Sequence, residues 1–184
     1  MSFISQHTIP IPVPAEMCFN FEQVNVIGLF QRLWTQVSVF MRAYINTAIE
    51  GSPRAAINAE RLLTMSDDFR NAIMPFYGPE LADRYNSLFT SFIAKPTNVI
   101  EGFLSDDQEL VNTSVRNWYS DVNELADLLA GLNPYWGQFQ WRGLLSQYVQ
   151  LKLQMITAEL GRDYRREIQV YDRVFDHTTT MGTY

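Results

Sequence analysis

Few side chains in this 184-residue sequence combine a reactive type with a spacing that chemistry can use. The single cysteine, Cys18, follows a proline-rich stretch and lacks the helix-N-terminal context of an activated thiol, so it reads as a small apolar residue or an incidental thiol. One cysteine also excludes an internal disulfide framework and a cysteine-based zinc site. The two histidines are His7 and His177. Asp172 and Asp176 stand one helical turn apart with His177 adjacent, which is either a weak metal site or a solvated acidic face; with Arg173 nearby the solvated face is the expectation. The carboxylates Asp67, Asp68, Glu124 and Asp127 fall in the most charged segments, where solvation rather than acid–base work is expected. A phosphate cradle needs clustered glycines and usually a lysine, but the 9 glycines form no G-x-G and the only lysines are Lys95 and Lys152. Arg162, Arg165 and Arg166 crowd the start of the last helix, against the dipole; Asp163 and Glu167 offer local neutralisation, with an anion site as the alternative. These residues point to no catalytic centre, no metal and no cofactor, and a non-enzymatic protein is expected.

The elements that position these groups are helices. Phe30, Leu33, Trp34, Val37, Met41, Tyr44, Ile45 and Ala48 recur at three- and four-residue steps, and Gly51 ends that stripe. Ser52 and Pro53 open a second helix that runs to about Met74, before Pro75. A third begins near Pro79 and is expected to kink at Pro96. Ser105 and Gln108 form a capping-box pattern for a fourth, closed by Gly131. A fifth spans about Gln138 to Leu160, stopped by Gly161, and Asp163 caps a sixth reaching about Met181. No β-hairpin pattern appears, so the fold class is all-α, a six-helix bundle.

Residues 1–23 differ in composition. Ile9, Pro10, Ile11, Pro12, Val13 and Pro14 alternate apolar side chains with prolines that fix φ and remove donors. This predicts an extended arm, either a strap over its own domain or an arm that docks on a neighbour, with a disordered segment as the third alternative, ahead of a single domain over residues 24–184. The N-terminus lacks the basic and apolar regions of a signal peptide, and the longest apolar helix is interrupted by Gln31, Arg32, Gln36, Arg42 and Asn46. A soluble, cytoplasmic protein with no transmembrane segment is therefore the default expectation.

Composition narrows function further. Charged residues make up 18% of the chain, below the roughly 25% of an average domain, while aromatics reach 14%, which excludes a disordered polar chain. A net charge of -6 argues against a nucleic-acid partner, which needs a basic footprint.

Three segments resemble one another: Leu33-Trp34-Thr35-Gln36-Val37, Leu88-Phe89-Thr90-Ser91-Phe92 and Leu144-Leu145-Ser146-Gln147-Tyr148. A second echo joins Pro75-Phe76-Tyr77-Gly78 to Pro134-Tyr135-Trp136-Gly137, each a proline, two aromatics that can pack over a helix end, and a glycine for the turn. Three degenerate αα-hairpins follow. The first helices of the hairpins carry two, four and two charged residues and the second helices six, seven and eight. The first helices should thus line the centre. Any site is expected there, a pocket near Val37, Phe92, Tyr148 and Met155, with a filled core as the plain alternative.

At these residues the chain resembles a family of small all-helical proteins from spore-forming Gram-positive bacteria, distantly ferritin-like. The resemblance rests on Leu33-Trp34, Arg61-Leu62-Leu63, Pro75-Phe76-Tyr77-Gly78, Leu88-Phe89, Asn133-Pro134-Tyr135-Trp136 and Leu144-Leu145, over about residues 29–182. In the family pattern histidines stand at the positions of Val37, Phe92 and Tyr148, and a glutamate at Met155. The resemblance therefore implies that any ancestral central metal site has been lost here. Some relatives carry the name acetylglutamate kinase, which the missing phosphate loop does not support. Spore or cell-surface association is a further implication. The leading expectation is a structural protein that self-associates into a homo-oligomer or filament through apolar surface and arm exchange. The alternative is a small-molecule-binding or degenerate metal-binding bundle.

Overall fold

The computed structural model describes residues 20–184; the arm residues His7, Ile9, Pro10, Ile11, Pro12, Val13, Pro14 and Cys18 lie outside them. Six helices follow one another: α1 (Phe21–Ile49), α2 (Arg54–Tyr77), α3 (Pro79–Leu104), α4 (Gln108–Leu132), α5 (Gln138–Leu160) and α6 (Tyr164–Thr183). No strand occurs among the described residues, and the fold is an all-α bundle.

Local chemistry explains most boundaries. Asn20 opens α1 with a reciprocal capping box: its Oδ1 accepts from the Gln23 N–H at 2.8 Å, and Gln23 Oε1 accepts from the Asn20 N–H at 2.9 Å. Helix α1 thus starts inside the segment expected to be arm. Asp163 Oδ1 accepts from the Arg166 N–H and caps α6 as expected. Other boundaries differ from expectation, the cap of α2 among them: it is Pro53 and not Ser52. Ser105 ends α3 instead of opening α4, whose cap is Asp107, accepting from the Leu110 N–H at 2.9 Å. Helix α4 continues through Gly131 to Leu132. Pro75 lies inside α2, which gains one more turn before the Gly78 N–H donates to Met74. A proline near a C-terminus removes a single bond, and here the extra turn carries Phe76 and Tyr77 over the end of the bundle. Helix α3 likewise runs through Pro96, which is buried.

The helices close into a ring in chain order, with α6 packed back on α1, and α1 also touches α3 and α5. Helices α1, α3 and α5 form an inner triangle, and α2, α4 and α6 fill its outer sides. Trp34 of α1 meets Phe89 of α3 at 5.4 Å and Tyr148 of α5 at 5.9 Å, and Phe92 meets Tyr148 at 5.6 Å between ring centroids. Phe69 brings in α2 and Trp118 brings in α4.

The two ends of the bundle differ. At one end the three turns α1–α2, α3–α4 and α5–α6 share one geometry. A residue with positive φ, Gly51, Asp106 or Arg162, is followed by an N–H that reaches back five residues, from Ser52 to Thr47, Asp107 to Gly102 and Asp163 to Ala158. The other end holds Tyr77, Tyr135, Trp136 and Tyr184 in place of charged turns.

Ring closure depends on a close approach at Gly182. A Cβ there would lie within 2.8 Å of the Phe30 carbonyl carbon and closer still to the Gln31 backbone. Gly182→Ala should therefore lower stability by roughly 1–3 kcal/mol through forced separation of α6 from α1. Gly143→Ala, a helical site with open space around it, should raise stability by about 0.5–1 kcal/mol. Paired thermal melts check both signs.

Candidate functional site

The four residues expected to surround a central pocket are fully buried. Val37, Phe92 and Tyr148 belong to the main core, whereas Met155 packs with Leu151, Val170 and Val174 in a separate cluster between α5 and α6. The aromatic rings described above fill the space between the inner helices. Among these four residues the Tyr148 hydroxyl is the only oxygen or nitrogen donor, so the set does not fit a metal ion. No group of three or more His, Cys, Asp or Glu side chains converges among the described residues. His177 is buried with Nε2 at 2.8 Å from the Leu144 carbonyl oxygen, and burial holds its pKa below the ordinary value. Its partner there is backbone, and Asp172 and Asp176 are exposed beside it. Arg162, Arg165 and Arg166 are exposed as well.

Open space lies instead at the aromatic end. A cavity of about 250 Å³ is enclosed by every helix of the ring. Val26, Ile27 and Phe30 come from the first turns of α1, and Phe76 and Tyr77 from the last turn of α2. Tyr85 rises from α3, Leu132 from α4, Trp141 from α5, and Met181 and Tyr184 from the end of α6, with Trp136 from the loop before α5. These aromatics form a chain. Tyr77 meets Trp136 at 6.3 Å, Trp136 meets Trp141 edge-on at 5.7 Å, and Trp141 meets Tyr184 at 5.2 Å. The Tyr184 hydroxyl accepts from the Gly137 N–H at 3.0 Å and ties the C-terminus across the mouth. Burial pushes the phenols of Tyr85 and Tyr77 upward, with Asn133 opposing the shift at Tyr77, so both stay protonated and can donate. The indole N–H of Trp141 is buried with no acceptor among the described residues. The cavity thus offers apolar faces with a few donors, a surface for binding and not for bond-breaking. The Pro-aromatic-Gly echo marked two of its walls in the sequence. The α6 and α1 walls carried no such local signal.

A second polar feature escaped the sequence reading altogether. Lys152 lies on α5 with no exposed surface, its Nζ 4.0 Å from Met155 Sδ and 5.0 Å from the centroid of the Tyr148 ring. Glu167 of α6, also buried, is the acid whose charge acts on it, but both of its oxygens are taken by Arg42 of α1, at 2.8 and 2.7 Å. Desolvation, unrelieved by a partner of its own, pushes the Lys152 ammonium from 10.5 down to about 7, with Glu167 raising it and Arg42 lowering it. The other lysine, Lys95, bonds Asp121 at 2.8 Å and Ser91 at 2.6 Å. One charge on a helix otherwise poor in charge gave no hint of which lysine was paired.

Comparison with protein-family models, with curated proteins and with solved structures returns no match. No helix among the described residues is long and apolar enough to cross a membrane.

Lys152 makes stability depend on pH with a defined sign. As pH falls from about 10.5 the unfolded chain takes up a proton there, while the folded chain does so only near pH 7. Stability should therefore rise with pH across this window, on the order of 3 kcal/mol between pH 7 and about 9.5. Lys152→Met should flatten that rise and be more stable than the parent at pH 7, as followed by chemical denaturation at several pH values.

Proposed function

We propose that this chain is a non-enzymatic structural protein that self-associates through the aromatic end of its bundle. The observation that carries this reading is that the three most exposed large apolar side chains of the described residues, all aromatic, lie at that one end. Phe21 is 81% exposed, Tyr135 89% and Phe139 83%, and Val24 and Phe76 are also more than half exposed beside them. Large contiguous apolar patches on a soluble domain mark interaction surfaces. Interfaces favour aromatics and arginine over lysine, and the chain has 14 basic residues of which Lys95 and Lys152 are the only lysines. Neither lysine is on this end face. A homo-oligomer is the simplest assembly, since a self-complementary end closes as a two-fold dimer.

A second reading, a small-molecule-binding bundle, draws on the cavity of about 250 Å³ in the same end. It leaves the exposed ring of aromatics outside the cavity without a role, and self-association is the better account.

Light scattering over a hundredfold range of concentration tests the reading. The mass should rise with concentration toward a multiple of the 21.3 kDa chain. The double substitution Tyr135→Ser with Phe139→Ser should weaken association at least tenfold while leaving the melting temperature nearly unchanged, because both side chains are exposed. A constant 21.3 kDa mass across the range would exclude self-association.

A further inference from the structure

Resting on that self-association reading, we propose that the end cavity is the receptor for the proline-rich segment 9–14 of a second copy of this chain. The segment Ile-Pro-Ile-Pro-Val-Pro presents three prolines without N–H groups and three apolar side chains between them. Proline-rich chains of this kind favour polyproline II geometry, in which no backbone carbonyl is used internally. Receptors for such segments are aromatic-lined grooves in which rings pack on the prolines while indole and phenol groups donate to the free carbonyls. The cavity has this chemistry. Tyr77, Trp136, Trp141 and Tyr184 supply the faces, and Tyr85 supplies a protonated phenol.

The start of α1 indicates which copy supplies the segment. Residues 21–25 are helical and all exposed, and the α1 wall of the cavity begins only at Val26, about 7 Å further along the helix at 1.5 Å per residue. The chain therefore leaves Asn20 beyond its own cavity. To return to its own cavity the chain has to reverse over residues 15–19, Ala-Glu-Met-Cys-Phe, none of which is a turn-favouring type. Extended, those five residues reach about 17 Å outward. That length lets segment 9–14 reach a second copy that packs against the same end. The same two-fold contact covers the projecting Phe21 and Val24 of each copy with Phe76, Tyr135 and Phe139 of the other. Each copy then gives one arm and receives one.

The experiment uses the full chain carrying Ile9→Ser, Ile11→Ser and Val13→Ser, with the unmodified chain in parallel. Light scattering reports mass, and a synthetic peptide of residues 7–16 is titrated while tryptophan emission is followed. The expected result is a dimer mass for the unmodified chain and at least tenfold weaker association for the triple variant. The peptide should bind the triple variant saturably, and adding Ile27→Trp, which places an indole among the cavity walls, should weaken that binding at least tenfold with helicity by circular dichroism retained. Absence of saturable peptide binding to the triple variant would overturn the proposal; if the unmodified chain still dimerises, self-association stands without the arm. Peptide binding combined with a monomer mass for the unmodified chain at every concentration would make the segment a strap on its own cavity, overturning both the exchange and the self-association reading.

Discussion

Phe89 and Trp34 occupy the point where rings from four helices meet, and the rest of the bundle is arranged by their packing. Phe89 lies 4.6 Å from Phe69, 5.3 Å from Tyr85 and 5.4 Å from Trp34, while Trp34 adds Tyr148. Each such pair contributes about 0.5–1.5 kcal/mol beyond the burial of its area. Rings are also stiff, so they fix distances between helix axes more firmly than flexible aliphatic chains would. The inner triangle of α1, α3 and α5 is set by this cluster. Toward the α1 start the rings diverge onto the helix ends and loops, and a cavity remains where their packing runs out.

Helix α6 is held differently. It has little share in the ring cluster beyond Tyr184 against Trp141, and it meets α1 through the Arg42–Glu167 pair, through Gln31 bonding Thr183 at 2.7 Å and through the bare backbone of Gly182. A bidentate guanidinium–carboxylate pair gives direction as well as energy. It also consumes both Glu167 oxygens and leaves Lys152 without a carboxylate of its own. Removing one partner of such a group is costlier than replacing the whole with apolar residues. The closure of the ring and the perturbed lysine are thus one feature seen from two sides.

The contrast between the ends bears on function. The backbone of the end built from Gly51, Asp106 and Arg162 turns is locally satisfied, because each turn returns its own N–H groups to the preceding helix. The opposite end exposes aromatic surface that no described segment covers, and the chain that precedes α1 departs from that end. In a bundle of this size most apolar surface is expected inside. Aromatics as exposed as Phe21, Tyr135 and Phe139 on one end favour association with a defined direction over nonspecific adhesion.

The helices and their order were legible in the sequence because the signals for them are local. The spacing of Leu33, Trp34, Val37 and Met41, the turn at Gly51 and the cap at Asp163 each act within a turn or two of helix, and the low charge of the first helices foretold the inner triangle. Boundary residues were less so: whether Ser105 or Asp107 caps, and whether Pro75 stops α2, depends on what packs over the end. Tertiary structure alone decided that Val37, Phe92 and Tyr148 are buried among rings while space opens among Ile27, Tyr85 and Met181. Those residues lie far apart in the chain, and only ring closure brings them together. It also decided that Lys152 is solitary and Lys95 paired, since burial and partners are properties of the neighbouring helices and not of the residue itself.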